Sequence, residues 1–342
     1  MTITNARFSP SQTWRNTDNH FIFAMDDPWY KSLLFIQDEI NHSSWNFFRE
    51  EKIRTVNLPL TTGSVTSPMG LGSDSLPVKI QLEGIDTYLS DSMQFHLEYA
   101  LRILNEGVHY IMPSFRGELA DERHLCQFYH SEVEIKGGLN DIILLVNRYI
   151  DTLCRDLLNT IPDTLENTAG TLKHIESLIN LNKNIPKITM DDAVRELKNN
   201  QDYVQFNNEG YRTITNLGEQ KLIEILGGIG WLTHHDYMSV PFYQACTPDK
   251  RNALNADLLF GIGEVVGCGE RHQTVDNLRN ALEYHKVSEN DYEWYIKMKE
   301  ISPLQTAGFG MGIERFILWL TRNKDIRDCQ LIPRFNGKTI NP

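Results

Sequence analysis

An α+β fold, an antiparallel sheet with helices gathered at its ends, is what this 342-residue sequence predicts. Three observations carry that expectation. Strand-like runs are long and follow one another, where a βαβ chain would alternate them regularly with helices. The helical periodicities collect at the ends of those runs. The composition, 41% hydrophobic and 23% charged, supplies the apolar side chains for a substantial core.

The elements follow in order. After a polar leader, Leu33, Ile36, Ile40 and Phe47 recur at helical spacing and predict an amphipathic helix over residues 30–51. Residues 53–58 read as a short strand that stops at Pro59, whose missing N–H interrupts a ladder. Residues 61–77, rich in Gly, Ser, Thr and Pro, predict a long loop of the kind that closes over a site. Strands are expected over 78–89, 109–119 and 124–135, and helices over 92–104 and 140–158. Residues 151–235 are polar and helix-leaning, punctuated by Gly227, Gly228 and Gly230, and read as a helical insertion within one domain spanning 1–342. Strand patterns resume at 239–245 and 258–266. Helices are expected at 274–285 and 290–299, and an apolar helix at 313–321 follows Gly308.

Composition excludes several classes. No window approaches the roughly 18 uninterrupted apolar residues of a membrane span. Residues 1–19 are polar without an apolar h-region, so no secretory signal is expected and the chain is placed in the cytoplasm. Five cysteines, an odd number without CxxC spacing, are expected as reduced thiols. A net charge of −12 and the lack of a basic run argue against a dedicated nucleic-acid binder, although a local basic groove can sit on an acidic protein.

Three segments carry chemistry. In Gly308-Phe-Gly-Met-Gly-Ile-Glu-Arg315, the alternating Gly308, Gly310 and Gly312 let the backbone approach a ligand closely, and the following helix presents Glu314 and Arg315 from its first turn. The plainer reading is a Gly-rich turn feeding a buried helix. The segment is not GxGxxG, so a dinucleotide fold gains nothing from it. Phe115-Arg-Gly-Glu118, a loop through Arg123 and His124, and Gln127-Phe128 read as strand, loop, strand. A guanidinium holds a phosphate bidentately, a carboxylate accepts from an exocyclic amine and an aromatic ring stacks on a base, so this set suits a nucleotide. An exposed ion pair on a hairpin is the competing reading. Asp257 and Glu264 bracket a strand, and Gly267-Cys-Gly-Glu-Arg271 follows. Two carboxylates beside a nucleotide site suit Mg²⁺ carried with phosphates, and Arg271 could hold a carboxylate or amide of a substrate.

Together the segments resemble the signature of class II aminoacyl-tRNA synthetases, and more narrowly the asparaginyl/aspartyl branch, in matching order over about residues 30–337. The helix and strand ending at Pro59 resemble the first motif, which builds a homodimer interface in that class. Residues 115–128 resemble the second and residues 308–315 the third. Ile326-Arg-Asp328 with Pro333-Arg334, Tyr88-Leu-Ser-Asp-Ser-Met-Gln94, and Gly263-Glu264 with Gly267 resemble further markers of the branch. The resemblance implies an antiparallel sheet flanked by helices, a homodimer, ATP bound bent, and Mg²⁺. It implies Arg116 on the α-phosphate, Glu118 near the adenine amine, Phe128 on one face of adenine and Arg315 over the other, with Arg123 or His124 toward the γ-phosphate. Gly310 and Gly312 would line the nucleotide, Asp257 and Glu264 would hold the metal, and Gln94, Glu98 and Arg271 would meet an amino-acid substrate.

The departures matter as much. Members of the branch begin with an anticodon-reading β-barrel of on the order of 100 residues. Here the first motif begins near residue 30 and the insertion shows no five-strand pattern, which disfavours tRNA as the acceptor. Thr306 stands where the synthetases carry a His, and Cys268-Gly-Glu270 precedes Arg271 where asparaginyl enzymes have Gly-Ser-Gln. Both changes resemble archaeal AMP-forming asparagine synthetases, which activate the side chain of aspartate for attack by ammonia. Leu97, followed by Glu98, stands where aspartate-using members place a Lys, and a substrate carboxylate facing Leu loses its charge partner.

The expected activity is an ATP-dependent, AMP-forming ligase that makes an acyl-adenylate and passes it to ammonia or an amine. The alternative is a freestanding asparaginyl-type paralogue that transfers the acyl group to tRNA or another carrier. A non-catalytic regulatory paralogue is disfavoured because Arg116, Glu118, Asp257, Glu264 and Arg315 are all present. Asn336-Gly-Lys-Thr339 is similar to the end of a P-loop, but no Gly stands five residues before Gly337, and that reading is dismissed. His234-His235-Asp236 reads as surface or core, since neighbouring strand side chains point to opposite faces. Tyr292, Trp294 and Tyr295 fit a helix packed on the sheet.

Overall fold

The computed structural model describes residues 7–66 and 75–341, so residues 67–74 of the expected closing loop lie outside the described residues. Its centre is one sheet built from β1 (Arg54–Thr55), β2 (Val108–Phe115), β3 (Gln127–Lys136), β4 (Lys187–Thr189), β5 (Ile229–Thr233), β6 (Asn255–Phe260), β7 (Gly263–Glu270) and β8 (Thr306–Gly312). The strands lie in the order β1-β2-β3-β8-β7-β6-β5-β4. Neighbours are antiparallel except at the two edges, where β1 runs parallel to β2 and β4 parallel to β5. This is the α+β sheet that the sequence predicts.

The principal helices are α1 (Pro28–Glu50), α2 (Gln94–Leu104), α3 (Leu139–Thr160), α4 (Asn216–Ile225), α5 (Glu293–Ile301) and α6 (Ile313–Leu320). α1 starts where its chemistry directs: Asp27 accepts from the Trp29 N–H and Pro28 takes the first position. Its stripe of Leu33, Ile36, Ile40 and Phe47 is buried. Phe48 packs tilted against His109 of β2 with ring centres 4.2 Å apart, and Ser44 meets the Tyr149 hydroxyl of α3 at 2.6 Å. That layer covers one face of the sheet. In β8, Ala307, Phe309 and Met311 join this core, which turns Gly308, Gly310 and Gly312 to the opposite face. No helix among the described residues is long and apolar enough to cross a membrane.

Several expectations are corrected. The strand expected over 258–266 is the end of β6 and the start of β7. The chain reverses at Gly261 (φ +62) and Gly263 (φ +136), a turn hidden by apolar residues on both sides. Residues 78–89 likewise form a hairpin, Val78–Leu82 and Ile85–Leu89, turning at Glu83 and Gly84, both with positive φ. With Thr61–Thr62 it makes a separate small sheet. Of residues 53–58 only Arg54 and Thr55 enter a ladder. Residues 239–245 form no strand; a 3-10 turn at Tyr237–Ser239 leads into irregular chain. Gly308 to Gly312 is a central strand, not a turn. Within residues 151–235 lie helices Pro162–Ala169, Lys173–Asn180 and Met190–Glu196, α4, a small hairpin, and strands β4 and β5 of the main sheet.

Candidate active site

The stripe of glycines on β8 forms a floor, and the loop between β2 and β3 stands over one end of it. Arg116 leaves the end of β2 with its guanidinium carbon 5.6 Å from the ring centre of Phe128 on β3. Its Nε is buried and meets no protein acceptor. Glu118 Oε1 accepts from the Leu76 N–H at 3.0 Å, while its Oε2 is buried without a partner. Arg123 Nη2 lies 3.3 Å from Glu219 Oε2, and its Nε is another buried orphan. Buried polar atoms are nearly always satisfied, so three such atoms around one space suit a polar ligand there. Arg116, Glu118, Arg123, His124, Phe128, Gly310, Gly312 and Arg315 all line that cavity. The structure thus brings the sequence-predicted nucleotide residues to one place. His124 is half-exposed and rests on Asp121 at 2.9 Å.

At the same site, Asp257 of β6 and Glu264 of β7 converge over Gly267. A Cβ at Gly267 would stand 2.7 Å from Glu264 Oε1 and 3.6 Å from Asp257 Oδ1. Burial and the Asp257 charge push the Glu264 carboxyl above its usual range. Arg315 Nη1 donates to the Glu264 carbonyl at 2.6 Å, and His235 Nε2 lies 3.1 Å from Asp257 Oδ2. The described residues contain no group of three or more ligating side chains arranged around a metal. Mg²⁺ carried with phosphates needs only one or two carboxylates, so Asp257 and Glu264 fit it. Glu314 is structural instead: buried, it accepts from the Tyr129 N–H at 3.0 Å and from Gln330 at 2.8 Å.

A second cavity shares Arg116, His130, Glu264 and Gly310 with the first and runs past Gln94 and Gly308 to Arg271. Arg271 is buried and heavily committed. Nη2 donates to Glu134 Oε2 at 3.1 Å and Nη1 to Gln244 Oε1 at 3.3 Å. The Gln94 amide, with its oxygen toward the guanidinium, accepts from Nη1 at 2.8 Å. Burial pushes Glu134 up to about 7; Arg271 pulls against the shift and Glu98 adds to it. Glu98 does not line the cavity, contrary to the expectation of a substrate contact. It lies beneath, where Lys299 donates to it at 2.6 Å, Tyr295 donates through its hydroxyl, and Thr306 stands at 3.4 Å.

Sequence reasoning missed Glu134, Glu219, Gln244 and Lys299. Only Gln244 left a trace: a side chain at Gly269 would collide with its amide, so the Gly in Cys268-Gly-Glu270 is room made for it. His235, read as surface or core, stands beside the candidate metal ligand Asp257. The aromatic run ties down the loop that precedes the site. Tyr292 donates to the Val65 carbonyl at 2.9 Å and Trp294 to Ser64 Oγ at 2.8 Å. Asp91 accepts from the N–H and hydroxyl of Thr66 at 3.1 and 2.8 Å.

An antiparallel sheet whose glycine-striped face carries two arginines, a stacking ring and paired carboxylates defines a nucleotide-dependent ligase of the class II type. The family model for class II tRNA synthetases (D, K and N) matches residues 16–336, and the chain belongs to that family. Among solved structures it is similar to asparaginyl-tRNA synthetase from Pyrococcus horikoshii complexed with asparaginyl-adenylate. That match has a TM-score of 0.83 at 23% identity and covers 92% of this chain and 70% of that one. The Entamoeba histolytica asparaginyl-tRNA synthetase in complex with asparaginyl-adenylate gives 0.80 at 20%, over 96% of this chain and 72% of that one. A putative aspartyl-tRNA synthetase from Leishmania major Friedlin gives 0.75 at 18%, over 91% and 66%. At these identities the likeness is one of fold.

Proposed function

We propose that this chain uses ATP to activate an amino-acid carboxylate as an acyl-adenylate and then transfers the acyl group, as an asparaginyl-tRNA synthetase paralogue, to tRNA or another carrier. The single observation that carries the reading is the set of orphaned atoms, Arg116 Nε, Glu118 Oε2 and Arg123 Nε, along a cavity that joins a second one ending at Arg271. Adenine fits between Phe128 and Arg315 with its amine toward Glu118. The acid lies over Gly308, and its carboxylate oxygen attacks the α-phosphorus while the bond to pyrophosphate breaks. No general base is required, because the attacking carboxylate is already ionised. Arg116 stabilises charge that builds on the α-phosphate, and Arg123 and Arg315 stabilise the leaving pyrophosphate. Mg²⁺ held by Asp257 and Glu264 would supply further charge neutralisation on the phosphates.

The commitments of Arg271 bear on the acid. Glu134, Gln94 and Gln244 occupy its donors, so a second substrate carboxylate would have to displace one of them. A neutral, amide-bearing acid such as asparagine needs no such exchange. One observation favours a second reading, attack by ammonia or an amine: Thr306, buried against Glu98, replaces the larger His of the synthetases.

The test is pyrophosphate exchange and AMP release with Mg²⁺ and asparagine, aspartate and related acids, each with and without ammonia or tRNA. Exchange with asparagine and AMP release driven by tRNA or a carrier supports the first reading. An amide product made only with ammonia supports the second, and no exchange with any acid overturns both. Arg116→Ala should lower exchange by about 10²–10³-fold, as loss of a charge-stabilising donor does elsewhere. Exchange near wild type in that variant would refute the assignment of Arg116.

A further inference from the structure

The dismissed P-loop-like segment does something else. Residues 335–338, Phe-Asn-Gly-Lys, make a tight reversal in which the Lys338 N–H reaches the Phe335 carbonyl at 3.4 Å. Gly337 supplies the positive φ, +64, that such a turn requires at its third residue. The turn is moored on both sides. Phe335 meets Trp14 at 5.5 Å between ring centres, and Ile340 is buried. The residue left at the tip is Asn336, and its amide spans the loop between β2 and β3. Nδ2 donates to the Glu118 carbonyl at 3.0 Å. Oδ1 accepts from the Ala120 N–H at 2.9 Å and from the Cys126 thiol at 3.0 Å.

One side chain therefore ties both limbs of that loop together. From the other side, the Leu76 carbonyl accepts from the Gly117 N–H at 2.7 Å, and the Leu76 N–H takes Glu118 Oε1. Glu118 is clamped from above and below with its Oε2 left free in the nucleotide cavity. We propose that Asn336 is a positioning residue for the nucleobase: the tail turn locks the loop so that Glu118 reads the exocyclic amine of adenine. The inference rests on the reading of this cavity as an ATP site.

Calorimetric titration with ATP, AMP and GTP tests it on the whole chain. Wild type should prefer ATP to GTP. Asn336→Ala should weaken ATP and AMP alike by roughly fivefold, the loss of two or three modest hydrogen bonds, and should narrow the preference over GTP. Because Asn336 acts through Glu118, Asn336→Ala added to Glu118→Ala should cost nothing more. Asn336→Ser serves where the alanine variant loses its thermal transition. ATP affinity within twofold of wild type in the Asn336 variants, or additive losses with Glu118→Ala, overturns the proposal. A loss for ATP but not AMP would place the effect at the phosphates and overturn it as well. If wild type itself binds no adenine nucleotide, the reading of the cavity fails first, and this inference with it.

Discussion

Lys299 and Glu98 show the cost of putting charge beneath the candidate active site. Both side chains are fully shielded from solvent, and their 2.6 Å contact is what makes an ammonium tolerable there. Arg102 also lies near Glu98, at 3.4 Å, as a second and more distant charge partner. Lys299→Met should cost about 3 kcal/mol of stability by removing the nearest charge partner of the buried Glu98 carboxylate. A lowered denaturation midpoint checks this, and an unchanged midpoint would refute it. Glu98 in turn helps set the charge on Glu134 beside Arg271, so the same variant should raise the KM for the acid more than the KM for ATP.

At the scale of elements, β8 divides its labour between two faces. Phe309 and Met311 belong to the core beneath α1 and α3, and the glycines between them leave the other face bare. The three glycines are not equivalent. A Cβ at Gly308 would run into the Glu134 carboxylate and the Val133 carbonyl, whereas at Gly310 the nearest atom is Glu132 Oε1 at 3.4 Å. Gly308→Ala should be destabilising by about 1–3 kcal/mol through overpacking, measured by denaturant titration. Gly310→Ala should fold with a midpoint near wild type and lose nucleotide affinity, since its new methyl projects into the cavity. Equal midpoints for the two variants would contradict this division.

At the scale of the molecule, several large apolar side chains on the N-terminal helices stand about half exposed among the described residues. Phe21, Phe23, Leu34, Phe35 and Trp45 stand between 42% and 53% exposed on helix His20–Met25 and α1. Exposed large apolar side chains gathered on neighbouring elements suit an association surface. We propose a second copy of the chain as the occupant, consistent with the dimer-forming first motif that α1 and β1 resemble. Sedimentation equilibrium at micromolar concentration should return twice the chain mass, and Trp45→Glu should shift it toward the monomer. A monomeric wild type would refute this surface as a dimer interface.

The sequence by itself determined the sheet class, the order of the chemical segments and most of the residues that the fold gathers around the first cavity. Those signals are local: the chemistry of Arg116, Glu118 and Phe128 is legible from residue type, and the alternation of Gly308, Gly310 and Gly312 already implies one bare strand face. Local signals failed where they were ambiguous. The apolar run through Gly261 hid a reversal, because residues buried on both sides of a hairpin show no periodicity that breaks. Only the tertiary structure decided who partners whom. Glu98 and Lys299 lie 201 residues apart, Glu134 and Arg271 lie 137 apart, and Asn336 reaches Glu118 across 218. Strand register and helix packing bring these groups together, and burial then gives each contact its strength, because a low-dielectric interior penalises every charge or amide that lacks its partner.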